Sequence, residues 1–526
     1  MTEIPTLNSN EQRERGAYYT PSDAARLMAA WIVESAPLTV LEPSFGGGVF
    51  LDEVIRQTRE RSHPPTLFGA ELDSQAFSAV SRRLGVELRG RPGDFLNSAA
   101  PRVDAVIGNP PFIRIRNLSM SQRTAALKCA EEHLGAPMDP SGSTWMPFVL
   151  HSTAALLTGG RMALVLPLEI THVRYARPLW TYLAMNFGVL HLVRTRARIF
   201  PELLQDVVVL LANNKGGSTN EVSYQVSDEL LSLENLAETR TVRISDIEEG
   251  RRPFHYCLLP ESDRRFLNKH VVPRSQFLEE ILKIRIGYVS GDKTYFHPDP
   301  KTRTEFKLPP RSLHPTLTST RELAGLGLWT SGRPKETCEM LWMPDVKRIT
   351  KGEARYVGRG ESIEISKRYK CSVRSPWYVV PGVDIPDVVI SVFSERPLML
   401  ANDEGFFASN SLICGYLKEE ANLPRLLCAW YTSITQLSIE LEVHSLGGGV
   451  LVAVPRELAK VRIPIVAQPP KRVLKSLDKA LSQNDIDAAI GIGDQHLLRS
   501  TDFRPAELAR VKKSVALLKE WRRSRD

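Results

Sequence analysis

The sequence predicts an α/β protein in two parts, a domain over residues 1–252 with a parallel, doubly wound sheet from Thr39 to Asp94, and a separate domain of mixed α+β character over 253–526. Three observations lead there. Between Thr39 and Asp94 short apolar runs alternate with helical patterns, which is how successive strand-helix-strand units read. The first of these runs lead into acids, Glu42, Glu71 and Asp94, and in open parallel sheets ligands bind beyond the carboxyl ends of the strands. From about Pro253 the alternation fades, and basic, aromatic, Gly and Pro residues are interspersed.

Bulk properties agree with two domains. A chain of 526 residues is too long for one hydrophobic core. Its 42% hydrophobic and 24% charged residues are ordinary for a globular protein, and its net charge of +8 suits a polyanionic partner. No apolar run approaches a membrane span, and the start Met1-Thr2-Glu3-Ile4-Pro5 has no signal-peptide pattern, so no membrane association and a cytoplasmic location are expected. The cysteines, at 129, 257, 338, 371, 414 and 428, are scattered without a C-x-x-C pair or nearby paired histidines. Neither a bound metal nor a disulfide framework is expected from that spacing.

Taken in order, Thr20-Pro21 reads as a helix start with Pro at the first helical position, ahead of an amphipathic stretch over 24–35. Residues 40–51, Val-Leu-Glu-Pro-Ser-Phe-Gly-Gly-Gly-Val-Phe-Leu, form a strand, a glycine turn and a helix start, and the glycines let backbone approach a ligand. This turn departs from the G-x-G-x-x-G pattern of nicotinamide-binding folds. Residues 67–73 read as a second strand ending in acid, and Gly93-Asp94-Phe95-Leu96 supplies another.

The stretch on which the chain turns is Asn109-Pro110-Pro111-Phe112, at the end of the apolar run 103–108. Two prolines make the turn rigid and poor in donors. Asn109 offers a side-chain carbonyl, Pro110 a backbone carbonyl and Phe112 a flat apolar face, a set able to grip an amino group on a planar ring.

In this order the motifs resemble the class I S-adenosylmethionine-dependent methyltransferases, and more narrowly the TaqI-type N6-adenine DNA methyltransferases of type II restriction-modification systems. The resemblance implies a Rossmann-like catalytic domain with a target-recognition domain behind it. It implies S-adenosyl-L-methionine as cofactor, with Thr20 and Glu42 toward its methionine end, Ser44 and Gly46 in the turn beneath it, Glu71 on its ribose hydroxyls and Asp94 on its adenine amino group. Leu72 and Phe112 would flank the cofactor's adenine. The substrate implied is double-stranded DNA with one adenine rotated out of the duplex, stacked on Phe112 and walled by Phe200. The same resemblance implies a separate cognate restriction endonuclease and a monomeric enzyme.

Elsewhere the sequence gives weaker expectations. Residues 119–135 are polar and helix-prone and read as a mobile loop near DNA. Residues 144–160 read as a helix ended by a Gly cap, 161–167 as a buried strand, and 213–220 as the turn of a hairpin closing the sheet. Residues 347–351 and 367–378 mix positive charge with aromatics, as phosphate and base contacts require. The tail 506–523 reads as a basic helix, bound to phosphate or solvated. Methyl transfer to RNA or to a protein glutamine is the alternative with the same turn chemistry. Pro298-Asp299 with Glu305-Phe306-Lys307 has the look of a divalent-metal nuclease site, at cramped spacing.

Overall fold

A computed structural model of the chain describes residues 21–197, 206–228, 230, 239–332, 338–445 and 449–523. Two compact units divide the chain between Leu258 and Leu259.

The first unit is built on one sheet. Its elements are α1 (Ser22–Val33), β1 (Thr39–Glu42), α2 (Val49–Thr58), β2 (Thr66–Gly69), α3 (Ser74–Leu84), β3 (Leu88–Arg89), β4 (Val103–Gly108), α4 (Met120–Leu134), α5 (Trp145–Ala155), β5 (Leu156–Pro167), α6 (Arg177–Asn186), β6 (Phe187–Thr195), β7 (Val207–Lys215), β8 (Glu221–Ser227) and β9 (Thr239–Arg243). The nine strands lie in the order β3-β2-β1-β4-β5-β7-β6-β8-β9. β3, β2, β1, β4 and β5 run parallel, whereas β7 enters antiparallel between β5 and β6. Strands covered on both faces are apolar nearly throughout, and Val208 to Ala212 of β7 have no exposed surface. The helices bury one stripe each: α1 puts Ala25, Met28, Ala29 and Ile32 inward, and α2 puts Phe50, Leu51 and Val54 inward.

Strand order reverses between β1 and β4, the place where a doubly wound sheet opens a crevice at its carboxyl edge. The opposite, amino-terminal end of that strand pair is clamped. One carboxylate oxygen of Asp104 accepts from the Leu38 N–H (3.1 Å), the Thr39 N–H (2.9 Å) and the Thr39 hydroxyl (2.8 Å), while the Asp104 N–H donates to the same hydroxyl (2.9 Å).

Several local expectations are corrected. Helix α1 begins at Ser22 with Pro21 as its cap residue; Thr20 lies outside the described residues. The polar stretch 119–135 is the capped helix α4: Ser119 and Gln122 form a capping box, and Ala125, Ala126, Cys129 and Ala130 are buried. Its small residues hid the inward face from a pattern search tuned to large apolar side chains. Gly159 and Gly160 do not cap a helix. They lie inside β5, where the register with β4 slips between Val103 and Ala105, and Gly160 comes so close to β4 that a Cβ would stand 2.8 Å from the Asp104 carbonyl oxygen. Nor do β7 and β8 form a hairpin, because β6 lies between them, antiparallel to β7 and parallel to β8.

The second unit is mixed α+β. A four-stranded antiparallel sheet orders Leu282–Ile286, Leu412–Leu417, Val388–Ser391 and Met399–Ala401. The tail helix Pro505–Arg522 is packed, not solvated: Leu508, Val511, Val515, Leu518 and Trp521 are buried. Arg522 makes a bidentate pair with Glu440, at 2.9 and 3.0 Å, with both side chains 3% exposed.

Removing the β1–β4 clamp is expected to weaken the first unit. Asp104→Ala strands two backbone N–H groups and costs roughly 1–3 kcal/mol, read as a lower urea midpoint for the full-length chain at unchanged slope.

Candidate active site

The crevice at the carboxyl ends of β1 and β4 is organised by hydrogen bonds among the turns that leave those strands. After β1, the chain passes Pro43, Ser44 and Phe45 into Gly46 and Gly48, both at positive φ (49° and 76°). The Gly48 conformation lets α2 start at once, and a Cβ there would meet Val80 at 2.7 Å. Glu71, beyond β2, holds this turn from the side: one carboxylate oxygen accepts from the Gly46 N–H and the other from the Asp73 N–H, each at 2.9 Å. The Ser44 hydroxyl donates to the Asn109 backbone carbonyl at 3.3 Å. Glu71, the glycine turn and the Asn-Pro-Pro-Phe turn are thereby linked in one chain of contacts.

The turn after β4 is fastened on its far side. The Thr144 hydroxyl donates to the Pro111 carbonyl and accepts from the Ile113 N–H at 3.1 Å, and the Ser143 hydroxyl donates to the Ile113 carbonyl at 3.0 Å. Next along the chain, Arg114 donates to Glu169 at 2.8 Å. Glu169 is a buried acid just past β5 that also accepts from the Trp145 indole N–H (2.8 Å) and the Tyr175 hydroxyl (2.6 Å). Phe112 packs half-buried against the sheet core. Sequence reasoning passed over Thr144 and Glu169. Glu169 carried the same signal as the other acids, a carboxylate just beyond an apolar strand and its terminal proline.

Two oxygens within this framework are buried without a partner among the described residues: one carboxylate oxygen of Glu42 and the side-chain carbonyl of Asn109. Both lie at the switch point. At Gly108, the residue before Asn109, a Cβ would sit 3.6 Å from the Glu42 side chain. Burial pushes the Glu42 carboxyl well above its ordinary range; the Leu51 backbone N–H opposes this, and Glu71 and Asp52 add to it. A buried oxygen left unsatisfied beside a crevice is placed to receive a ligand.

The sequence-predicted residues therefore fall into distinct states. Glu42 and Asn109 present free oxygens. Glu71 is occupied by backbone N–H groups, with lone pairs left for a diol. Asp94 caps the turn Phe95–Asn97 through the Leu96 N–H (3.0 Å), and Leu72 beside Glu71 is 60% exposed. Thr20 and Phe200 lie outside the described residues. The nuclease-like stretch is a capped helix: Asp299 accepts from the Thr302 N–H at 2.7 Å, and Lys307 ends the turn at φ 51°.

An anionic acceptor for an ammonium group, a glycine turn open to backbone approach and an acid that can receive a diol fit an amino-acid-bearing nucleoside. Together with the strand order they define a Rossmann-like class I methyltransferase core that uses S-adenosyl-L-methionine. Residues 4–172 match the family model of the N-6 DNA methylases, and 251–498 match that of the C-terminal domain of the type II methyltransferase M.Eco57I. The chain belongs to the N6-adenine DNA methyltransferases of the type II restriction-modification family. It is 25% identical to the type II methyltransferase M.AccI of Acinetobacter calcoaceticus over 422 residues, 75% of this chain and 74% of that one. Against M.PaeR7I of Pseudomonas aeruginosa it is 23% identical over 538 aligned positions, 90% of each chain. A crystal structure of the type IIG restriction endonuclease BpuSI superposes with a TM-score of 0.45 at 15% identity, over 97% of this chain and 67% of that one.

Glu42→Gln separates binding from folding. With Glu42 as the proposed acceptor of the cofactor's ammonium, which needs the carboxyl ionised, cofactor affinity in the wild type is expected to be full above the raised value and to fall as pH drops through it. In Glu42→Gln the affinity is lower by at least roughly tenfold and this pH dependence disappears, as isothermal titration reads. The folded-state pKa lies above the unfolded one, so the destabilisation sets in as pH rises through the ordinary carboxylate range and is complete above the raised value. The cofactor-free variant at pH 8 therefore melts higher than wild type, by ~2–4 °C for each kcal/mol relieved.

Proposed function

We propose that methyl transfer to adenine N6 is carried by Asn109 and Pro110, with Phe112 stacked on the target base. The observation that supports this most directly is the Asn109 side-chain carbonyl, buried and unpartnered at the carboxyl end of β4. An adenine amino group is planar and weakly nucleophilic because its lone pair is delocalised into the ring. Two acceptors, the Asn109 Oδ1 and the Pro110 carbonyl, each taking one N6 hydrogen, favour a pyramidal nitrogen whose lone pair is localised. That stabilisation is larger in the transition state than in the ground state, which is what raises rate. Bound S-adenosyl-L-methionine supplies an electrophilic methyl group on a sulfonium. Transfer leaves a cationic nitrogen between two oxygens, which hold its protons until one is lost to water.

Rigidity of the turn supports the same reading. Acceptors that must meet N6 in one geometry need fixed positions, and the Thr144, Ser143 and Arg114–Glu169 contacts supply them from one side and Ser44 from the other. Glu42 would take the cofactor's ammonium, Ser44 and Gly46 the turn beneath it, Glu71 the ribose and Asp94 with Leu72 the adenine, with Thr20 and Phe200 in the places the family resemblance gives them. N6 faces the major groove within a stacked pair, so the base rotates out to reach this turn.

The second unit, 253–526 by the sequence division, is the target-recognition domain in this reading. Lys347, Arg348, Lys367, Tyr369 and Lys370 are exposed there, whereas Arg374 donates inward to the Val289 and Ser290 carbonyls at 2.6 and 2.8 Å and is withdrawn from any phosphate contact. The relatives M.AccI and M.PaeR7I are named type II methyltransferases. By analogy this chain acts as a cytoplasmic monomer beside a separate endonuclease of the same specificity, and its methyl mark shields the site. Among the described residues no helix is long and apolar enough to cross a membrane.

Incubation with methyl-labelled cofactor and duplex DNA is expected to place label on adenine N6 within one sequence context, found by digestion and sequencing. Asn109→Ala is expected to lower the single-turnover rate by at least roughly a hundredfold while DNA affinity in a filter-binding titration changes little. Label only in RNA or polypeptide overturns the DNA reading; a full rate in Asn109→Ala overturns the role of the turn.

A further inference from the structure

Behind the Asp94 turn the fold gathers three soft or borderline donors that the transfer reaction does not use. Cys129 and His133 stand one turn apart on α4, and His151 faces them from α5; one donor atom from each lies within 4.8 Å of the others. His133 Nε2 and His151 Nδ1 are 3.3 Å apart, and His151 Nε2 lies 3.0 Å from the Ser98 carbonyl oxygen. A carbonyl only accepts, so His151 carries its proton on Nε2, and its Nδ1 lone pair points toward His133. This is the arrangement of a metal-ligating histidine, with one ring nitrogen free and the other fixed by a carbonyl.

We propose that Cys129, His133 and His151 bind a divalent transition ion of the zinc class. Metal–nitrogen bonds of about 2.0–2.1 Å put two tetrahedral imidazole donors ~3.3 Å apart, which is the separation His133 and His151 already have. A metal–sulfur bond of about 2.3 Å sets the sulfur–nitrogen edge near ~3.6 Å, and Cys129 Sγ lies within 4.8 Å of both nitrogens. On binding, the Cys129 S–H bond breaks, its proton goes to solvent and the sulfur–metal bond forms. His133 moves its ring proton from Nε2 to Nδ1 to free the ligating lone pair. Three protein ligands leave a fourth position to water.

Neither of the simpler roles for these groups accounts for them as well. The Cys129 thiol donates to the Pro147 carbonyl oxygen at 3.9 Å, a weak contact for a buried thiol. The other five cysteines stand far apart in sequence, and all six are unbridged. This site was not legible in the chain, because its second histidine arrives from another helix. The site adjoins the cofactor pocket. The His151 ring meets Phe95 edge-on at 4.8 Å, and Phe95 follows Asp94 in the turn that Asp94 caps. A metal that fixes His151 thus stiffens the support of the residue assigned to the cofactor's adenine.

The test is a cobalt titration of the untagged, chelator-treated full-length protein, followed by displacement with zinc. The expected result is saturation at about one equivalent with a thiolate-to-cobalt absorption band that zinc abolishes. Cys129→Ser is expected to lose the band, and His151→Gln to bind at least roughly tenfold more weakly; should Cys129→Ser not fold, His133→Gln, half-exposed at its position, replaces it with the same tenfold expectation. Absence of saturable cobalt uptake by the wild type overturns the proposal, as does a band that persists in Cys129→Ser or a titration that neither histidine variant alters.

Discussion

The pairing of β1 with β4 at the point of reversed strand order is the constraint on which the site depends. Val40 opposes Ala105 and Leu41 opposes Val106, so Glu42 and Asn109 leave the sheet on adjacent strands at the same edge. Both ends of this strand pair are held. Asp104 and Thr39 lock the amino-terminal end, and Ser44 ties the turn beyond β1 to the carbonyl of Asn109. A slip of one residue in either strand would turn its side chains to the other face and take the carboxylate and the amide away from each other.

Within that frame the three acids read from the sequence have different tasks. Glu71 and Asp94 are engaged by backbone N–H groups, which is how a carboxylate at a strand end or a helix start commonly stabilises a turn. Glu42 keeps a buried oxygen without a partner among the described residues, and so does the side-chain carbonyl of Asn109 on the adjacent strand. Leaving such a group buried costs about 1–3 kcal/mol, more when it is charged, and the fold carries that cost at two neighbouring positions. The compensation is the dense set of bonds to Thr144, Ser143 and Glu169 around the Asn-Pro-Pro-Phe turn. Stabilisation there offsets the unsatisfied atoms at the carboxyl edge.

The second unit divides its positive charges between interior and surface. Arg522 pairs with Glu440 in a buried bidentate contact, and Arg374 ties down the loop at Val289 and Ser290. Breaking a buried pair leaves an uncompensated charge, so these arginines belong to the fold. Lys347, Lys367, Tyr369 and Lys370 remain at the surface. The Arg522–Glu440 pair adds nothing to the net charge of +8, whereas the Arg374 charge is counted in it and spent on backbone carbonyls.

Much of the catalytic unit was legible in the chain. Strand-helix alternation from Thr39 to Asp94, the glycine turn and the Asn-Pro-Pro-Phe turn are local signals, since periodicity and proline stiffness act over a few residues. Those signals determined the parallel strands β1 to β4, the family and the groups at their carboxyl ends; the order and direction of β6, β7 and β8 they did not. What they left open concerns partners far apart in sequence: Asp104 reaching back 65 residues to Thr39, Arg114 meeting Glu169 across 55, His133 meeting His151 across 18. Both α4 and the tail were read as helix-forming, but their buried faces were missed, in α4 because that face is alanine and cysteine and in the tail because charged residues dominate its sequence. The sequence by itself determined which groups could do the chemistry; only the tertiary structure decided which of their oxygens are already taken and which are left free, because hydrogen-bond saturation depends on neighbours that folding alone brings within 3 Å.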